Sequence, residues 1–209
     1  MSRVLVTSFD AKYFKAGLTL IAAIHRTSFD VVDKILIYDL GLSEEQRRFL
    51  GRCEKVEVLA YPGVTGSFFP GYLEPGQFAW KPCAIKYAGE HGTHVFWLDA
   101  GAMPVKSLEP VFDRIERNEI FLVQDENLTA RLTHEKAFEL LGATAEERGS
   151  RMLCAGILGH KVDGRYQNLI DQAFLYSQNP EIVRGPRESH RHDQSIYSVL
   201  AVRYKCPVN

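Results

Sequence analysis

The chain has 209 residues, of which 45% are hydrophobic and 24% are charged, as in an ordinary globular protein with one sizeable domain. Its 25 Lys and Arg residues against 26 Asp and Glu residues leave a net charge of −1, so electrostatics does not favour nucleic acid or an anionic membrane as the main partner. The apolar run 18–24 is far too short for a transmembrane segment, and four widely spaced cysteines favour reduced thiols in a cytoplasmic protein.

Short apolar runs alternate with longer amphipathic ones in the first half of the chain. The short runs predict strands at residues 3–7, 34–39, 55–61, 94–99 and 119–124. Helical spacing predicts helices at residues 13–26, 43–52, 80–90 and 108–117, the second of them opened by a Ser43–Gln46 capping box. All strands but the third are too continuously apolar for a sheet with one wet face. The pattern predicts an α/β fold, a Rossmann-type, mostly parallel sheet with helices on both faces.

After about residue 125 the alternation changes. The pattern predicts a helix at 133–141, a polar stretch at 144–151, a strand in "RMLCAGILGHKV", a helix at 165–177 and a last helix from about Asp193. Two connections rich in Gly or Pro, residues 62–76 and 179–192, are long enough to be functional or mobile. Because no repeat or linker divides the chain, we expect one domain over residues 1–209.

Polar residues follow the predicted strands where an open α/β sheet binds ligands, at the carboxyl ends. They are Thr7, Ser8, Asp39, Asp99, Gln124 and Asp125. Helix caps and turns favour the same residue types, so the first three have a purely structural alternative. Asp99 differs because it ends a buried strand, and the small turn Ala100–Gly101 lets another group approach closely. Such a carboxylate needs a partner, and a hard cation or a ligand hydroxyl would serve.

Two further segments carry candidate ligand-binding groups. "FAWKPCAIKYA" places Lys81 at the start of a helix, where a mobile cation and unpaired N–H groups suit a phosphate, although a lysine on a solvated face is the simpler interpretation. "ESHRHDQSIYSVLA" collects His190, Arg191, His192, Asp193 and Gln194 before a helix. The alternative there is an ordinary helix cap after a solvated loop. Phosphate-loop, dinucleotide, serine-hydrolase and zinc-protease motifs are absent from the sequence.

Taken in order, several segments resemble the GT-A type nucleotide-sugar-dependent glycosyltransferases, in particular the glycogenin and lipopolysaccharide galactosyltransferase-like group. The resemblance covers most of the chain and rests on "VTSFDAKYFKAGLTLIAAI", "ILIYDLGLSEEQRRFL", "FAWKPCAIKY", "HVFWLDAG", "CAGILG" and "HDQSIYSVL". The phrases "WKP", "WLDAG" and "HDQS" are similar to those of less characterised relatives, often bacterial enzymes of surface-glycan and polysaccharide biosynthesis. A nucleotidyltransferase is disfavoured because "TSFDAKYF" lacks a Gly-rich basic loop.

The resemblance implies transfer of a sugar from a nucleoside diphosphate-sugar donor to a glycan or lipid-linked acceptor, with retention of configuration in the nearest relatives. It implies nucleoside contacts from Thr7, Ser8 and Tyr13, and a diphosphate contact from Lys81. It further implies a metal, ribose or sugar contact at Asp99 beside Gly101. Asp193 and Gln194, facing the sugar, and His192 are the expected catalytic residues. Residues 62–76 are then expected to form an acceptor-side lid.

One departure from the family concerns its D-x-D motif, whose two acids bind Mn²⁺ or Mg²⁺. Here the second acid is Gly101, and the family's late histidine is not found before Asn209, as in a chain lacking a C-terminal extension. Three explanations stay open. In the first, Asp99 and another residue such as His192 hold a metal ion. In the second, Lys81, Arg191 or the histidines stabilise the leaving group without a metal ion. In the third, the protein is a catalytically inactive nucleotide-sugar-binding or scaffold domain.

Overall fold

The computed structural model describes residues 1–62 and 68–209, so Gly63 and Gly66 of the predicted lid lie outside the described residues. The strands are β1 (Arg3–Phe9), β2 (Lys34–Asp39), β3 (Val56–Leu59), β4 (His94–Leu98), β5 (Ile120–Leu128) and β6 (Arg151–Lys161). The helices are α1 (Phe14–Ser28), α2 (Glu44–Leu50), α3 (Trp80–Ala88), α4 (Glu109–Asn118), α5 (Glu135–Leu141), α6 (Ala145–Gly149), α7 (Gln167–Ser177), α8 (Pro180–Val183) and α9 (Asp193–Arg203).

The strands form one mixed sheet in the order β3-β2-β1-β4-β6-β5. Strands β1 to β4 are parallel where they pair, whereas β6 runs antiparallel to both β4 and β5. The strand order reverses between β1 and β4, because the chain moves outward through β2 and β3 and then returns to the other side of β1. A ligand crevice is expected at the carboxyl ends of the strands beside such a reversal.

Helices cover both faces of the sheet, as the sequence predicted. One core holds side chains of α3, α7 and α9 against one face, and the other holds side chains of α1 and α4 against the opposite face. The interiors of β1, β2 and β4 are buried on both faces. The same prediction for the fifth strand is wrong beyond Leu122, because β5 lies at the sheet edge and alternates between partly buried and exposed residues.

Local sequence signals account for several helix boundaries. The predicted capping box is present, with the Ser43 hydroxyl accepting from the backbone N–H of Gln46. The stretch 144–151, predicted only as polar, contains α6, whose own capping box joins Thr144 and Glu147. Among the helices in the described part of the chain, none combines the length and the apolar character that crossing a membrane requires.

Candidate active site

A buried lysine lies at the centre of the site. Lys81, in the first turn of α3, has a side chain that is only 3% exposed. Its Nζ atom lies 2.9 Å from Oδ1 of Asp99 and 3.4 Å from Oδ2 of Asp193. The same atom donates to the carbonyl oxygen of Ala155 at 3.3 Å. Lys81 is therefore neither the mobile cation that was predicted nor, as in the alternative, a lysine on a solvated face, because α3 packs against the sheet and directs this ammonium to the strand ends.

Asp99 receives partners from within its own chain. Besides the ion pair with Lys81, its Oδ1 accepts a hydrogen bond from the indole Nε1 of Trp97 at 2.8 Å. Strand β6 passes close by at Gly156, where an added Cβ would lie 3.0 Å from Oδ2. The Asp99 side chain keeps 46% of its surface exposed, so one carboxylate edge faces open space. The carboxylate of Asp99 thus has a lysine and a tryptophan as partners and still has a free side for a ligand.

Asp193 is the buried counterpart of Asp99. Its side chain is 4% exposed, and burial raises its pKa to about 6, although the charge of Lys81 acts against that rise. Burial also acts to lower the pKa of Lys81, but Asp193 and Asp99 outweigh it and raise that pKa. The ammonium between the two carboxylates therefore stays charged, while burial brings the pKa of Asp193 to about 6.

The segment before Asp193 is held by histidines. The backbone of His192 has φ 50° and ψ −120°, a conformation that non-glycine residues rarely adopt, immediately before α9. Its Nδ1 donates to the carbonyl oxygen of Val183 at 2.7 Å. The His190 ring lies between those of His134 and His192, with centroids 4.1 and 5.4 Å apart. These contacts fix the backbone that presents Asp193, which agrees with a constrained site rather than a solvated loop.

A cavity of about 480 Å³ opens beside this cluster at the carboxyl ends of β1 and β4. Its walls include Ser8, Asp10, Lys12, Tyr13, Phe78, Trp80, Asp99, Gly101 and Arg187. A smaller recess of about 90 Å³ adjoins it and is lined by Lys81, Gly156, Arg191, His192, Asp193 and Gln194 together with residues of the larger cavity. Phe78, Asp99 and Arg187 line both, so the two spaces form one continuous candidate site.

The structure brings most of the predicted site residues to this crevice, whereas the described lining residues do not include Thr7, Asp39, Gln124, Asp125 or His190. Tyr13 lines the larger cavity and is 51% exposed, and Gly101 lines it as well. Ser8 also contributes to the wall, but its hydroxyl is already bonded to the carbonyl oxygen of Tyr38 and to the Tyr61 hydroxyl. Thr7 is fully buried within β1 and is not among the described lining residues.

Sequence reasoning missed Arg187, which lines both spaces. Its guanidinium carbon lies 5.4 Å from the ring centroid of Phe78, another residue that was not singled out. The available signal was weak: the segment "RGPRESHRHD" contains three arginines and two histidines in a connection that was expected to be functional or mobile. Which of the arginines faces the site depends on the path of the loop, and the sequence pattern does not specify that path.

The described residues do not fit the metal site that the family implies. Across residues 1–62 and 68–209, no three His, Cys, Asp or Glu side chains are grouped closely enough to hold a metal ion. Gly101 supplies no second acid, and Oδ1 of Asp99 is already engaged by Lys81 and Trp97. The charge between Asp99 and Asp193 is a lysine ammonium.

Comparisons with known proteins show which class of fold surrounds this site. No protein-family model matches the sequence, and no curated protein is similar to it. Solved glycosyltransferase structures share the fold: galactosyltransferase LgtC, in complex with donor and acceptor sugar analogues, has 16% identity and a TM-score of 0.62 over 94% of this chain and 70% of LgtC. The chain therefore has the fold of the GT-A glycosyltransferases, as its sequence predicted.

Two further structures extend that likeness. Core-mannan synthase A from Aspergillus fumigatus, in a Mn/GDP form, has 8% identity and a TM-score of 0.66, with 96% of this chain and 69% of that protein covered. The bifunctional glycosyltransferase WbbM has 14% identity and a TM-score of 0.55 over 91% of this chain. The chain spans 38% of the length of WbbM. At these identities the comparisons establish the fold, and the chemistry has to be argued from the site.

Proposed function

We propose that this protein is a glycosyltransferase that moves a sugar from a nucleoside diphosphate-sugar to a hydroxyl group of a glycan or lipid-linked acceptor. The observation that carries the proposal is the ion-paired cluster Asp99–Lys81–Asp193 at the wall of the crevice where the strand order reverses. The shared fold supports it, since LgtC was solved with donor and acceptor sugar analogues. Action as one domain in the cytoplasm belongs to the same proposal.

The walls of the crevice suggest how a donor would lie. Tyr13 offers an exposed ring to the nucleobase at the open end of the larger cavity, and Ser8 lines the wall behind it. The free edge of Asp99 faces ribose or sugar hydroxyls. Asp193 and Gln194, in the smaller recess, would face the transferred sugar. Lys81 is buried behind both carboxylates, so its role in this proposal is to position them and to contribute charge rather than to grip phosphate from the surface.

The reaction would break the bond between the anomeric carbon and the diphosphate oxygen, and the electron pair would leave with the diphosphate. The acceptor hydroxyl oxygen forms the new bond to the anomeric carbon. Its proton passes to the departing diphosphate in a retaining reaction, the outcome that the sequence resemblance implies, or to a carboxylate base in an inverting one. Asp193, Asp125 and Glu126 are the candidate bases for the second route.

Turnover tests the proposal directly. Purified protein is incubated with a panel of nucleoside diphosphate-sugars, with and without Mn²⁺, and release of the nucleoside diphosphate is measured. We expect release with at least one donor, and a loss of about a hundredfold or more in Asp193→Asn, as for removal of one preorganised electrostatic group. Asp171→Asn, which removes a carboxylate paired with Lys86 on the helical layer, is the matched control and should keep full activity.

A second candidate function is favoured by Gly101, which removes an acid that catalytic members of the family use. It is a catalytically inactive domain that binds nucleotide-sugars or serves as a scaffold. Donor binding without release under any condition would favour this alternative over a transferase. Neither binding nor release with any donor would contradict both.

A further inference from the structure

We infer that Arg187, assisted by Arg191, supplies the positive charge for the donor diphosphate, so that this protein binds its donor without a divalent cation. The inference rests on the proposed function and deepens it. The family's metal-ligand set is incomplete among the described residues, whereas the smaller recess of the crevice is lined by three basic side chains, those of Lys81, Arg187 and Arg191.

Arg187 has the position that the inference requires. It lines both the larger cavity and the smaller recess, and therefore lies where a nucleoside in the first would connect to a sugar in the second. Its guanidinium packs 5.4 Å from the ring centroid of Phe78, which limits its rotation while leaving its N–H groups free to donate. A guanidinium offers two parallel donors to phosphate oxygens, which suits a diphosphate.

The charges of the neighbouring groups favour an anion at this position. Asp99 and Asp193 both pair with Lys81, so their negative charge is partly neutralised within the cluster. Over residues 1–62 and 68–209, the guanidinium groups of Arg187 and Arg191 form no ion pair with a carboxylate. Three cations thus stand against two carboxylates in the recess, and the resulting positive charge favours a bound diphosphate.

Arg191 has a weaker, supporting position. Its backbone N–H donates to the carbonyl oxygen of Leu132 at 3.0 Å, so its place in the recess wall is fixed. Its charge also lowers the pKa of Asp125. The largest cause of that lowering is a hydrogen bond from the backbone N–H of Asn127, and the charge of Arg191 is a smaller cause. Because the charge of Arg191 is shared with that carboxylate, Arg187 is the residue on which the inference is tested.

The loop that carries both arginines is held at several points, which reduces the ordering that ligand binding would require. The Nε2 atom of His134 donates to the carbonyl oxygen of Arg184 at 3.0 Å. The His190 ring packs against Gly185, where an added Cβ would lie 2.8 Å from Cβ of His190. The close approach requires glycine at that position. The loop therefore presents Arg187 from a backbone that is already in place.

Calorimetric titration with UDP, GDP, ADP and dTDP tests the inference, in EDTA and in Mn²⁺. We expect at least one nucleotide to bind in EDTA with an affinity within about twofold of that in Mn²⁺. Arg187→Gln should weaken that binding about tenfold or more, as for loss of a charged hydrogen bond, and Arg187→Lys should restore part of it. Arg52→Gln is the matched control: it removes the same charge at an exposed residue before β3, at the opposite end of the sheet, and should bind like the parent protein.

Two results would overturn the inference alone. One is nucleotide binding that requires Mn²⁺, and the other is Arg187→Gln binding in EDTA as tightly as the parent protein. Either would leave a nucleotide-binding protein and so preserve the proposed donor. Absence of binding to every nucleotide in both conditions would overturn the inference together with the proposed function.

Discussion

The Nζ atom of Lys81 lies 2.9 Å from Oδ1 of Asp99, and the two residues come from different elements, the first turn of α3 and the turn after β4. The lysine side chain is almost completely buried, while the carboxylate is half exposed. The pair therefore has one member in the protein interior, Lys81, and one at the wall of the crevice, Asp99. Asp193 completes the arrangement on the buried side, so a change at Lys81 is expected to reach both the stability of the fold and the behaviour of the site.

Lys81→Met should destabilise the protein much more than the same change one turn further along α3. Removing one partner of a buried ion pair leaves an uncompensated charge and costs about 3 kcal/mol or more. Lys86→Met is the matched control, because Lys86 pairs with Asp171 in a partly exposed position, where such pairs contribute about 1 kcal/mol or less. Urea unfolding at pH 7.5 measures both. Equal losses would contradict the central role given to Lys81.

Asp193 should titrate near pH 6 in the folded protein. Burial is the main cause of its raised pKa, and Lys81 opposes that rise, so the titration midpoint should move higher in Lys81→Met. Carboxyl ¹³C chemical shifts measure the midpoint, and Asp193→Asn identifies the resonance by removing it. A midpoint near the ordinary value for aspartate would show that water reaches this carboxylate.

The same shift predicts a pH dependence of stability. Because the folded-state pKa of Asp193 lies above its ordinary value of 3.8, its contribution to stability is present below about pH 4 and is lost as pH rises to about 6. Removing Lys81 should therefore destabilise the protein less at pH 5 than at pH 7.5, since Asp193 can then take up a proton. Urea unfolding of Lys81→Met and parent protein at both pH values tests this. A larger loss at pH 5 would contradict it.

His160 should make the fold sensitive to acid. Burial lowers the pKa of this β6 side chain to about 4 from its ordinary value of 6.5. The contribution of the neutral ring to stability is thus present above pH 6.5 and is lost as pH falls toward 4, by about 1.4 kcal/mol per pH unit within that range. The unfolding free energy of His160→Leu should vary less between pH 7 and pH 4.5 than that of the parent protein. Parallel pH profiles would contradict this prediction.

Gly101→Asp should create a divalent-cation site beside Asp99. A Cβ at position 101 would meet nothing within 4 Å, so the new side chain fits the open edge of the crevice. Two carboxylates two residues apart supply the oxygen ligands that Mn²⁺ and Mg²⁺ favour. Calorimetry should show Mn²⁺ binding about tenfold tighter than in the parent protein. Gly101→Asn is the matched control, because it adds a side chain of the same size at the same open position without the charge, and it should show no gain. If neither variant bound Mn²⁺ more tightly, the side chains at positions 99 and 101 would be too far apart to bind one metal ion.

The sequence was informative where a feature depends on neighbouring residues. The alternation of apolar runs located the strands and the helices on both faces, and the Ser43–Gln46 pattern marked a real helix start. Strand ends also indicated the crevice, because parallel strands place their carboxyl ends along one edge. The assignment of Thr7 to that crevice had less support, since Thr7 lies two residues before the end of a strand that is buried on both faces, and its side chain is fully enclosed.

The sequence by itself therefore determined the layered α/β architecture, the edge at which a ligand is expected, and the absence of a second acid at position 101. Only the tertiary structure decided that Lys81 is buried between Asp99 and Asp193, and that Arg187 rather than another loop arginine lines both cavities. The reason is physical. The periodicity of apolar residues shows which side of each helix or strand packs against the core. The partners of a charged side chain depend instead on which distant segments the sheet order and the loop contacts bring together.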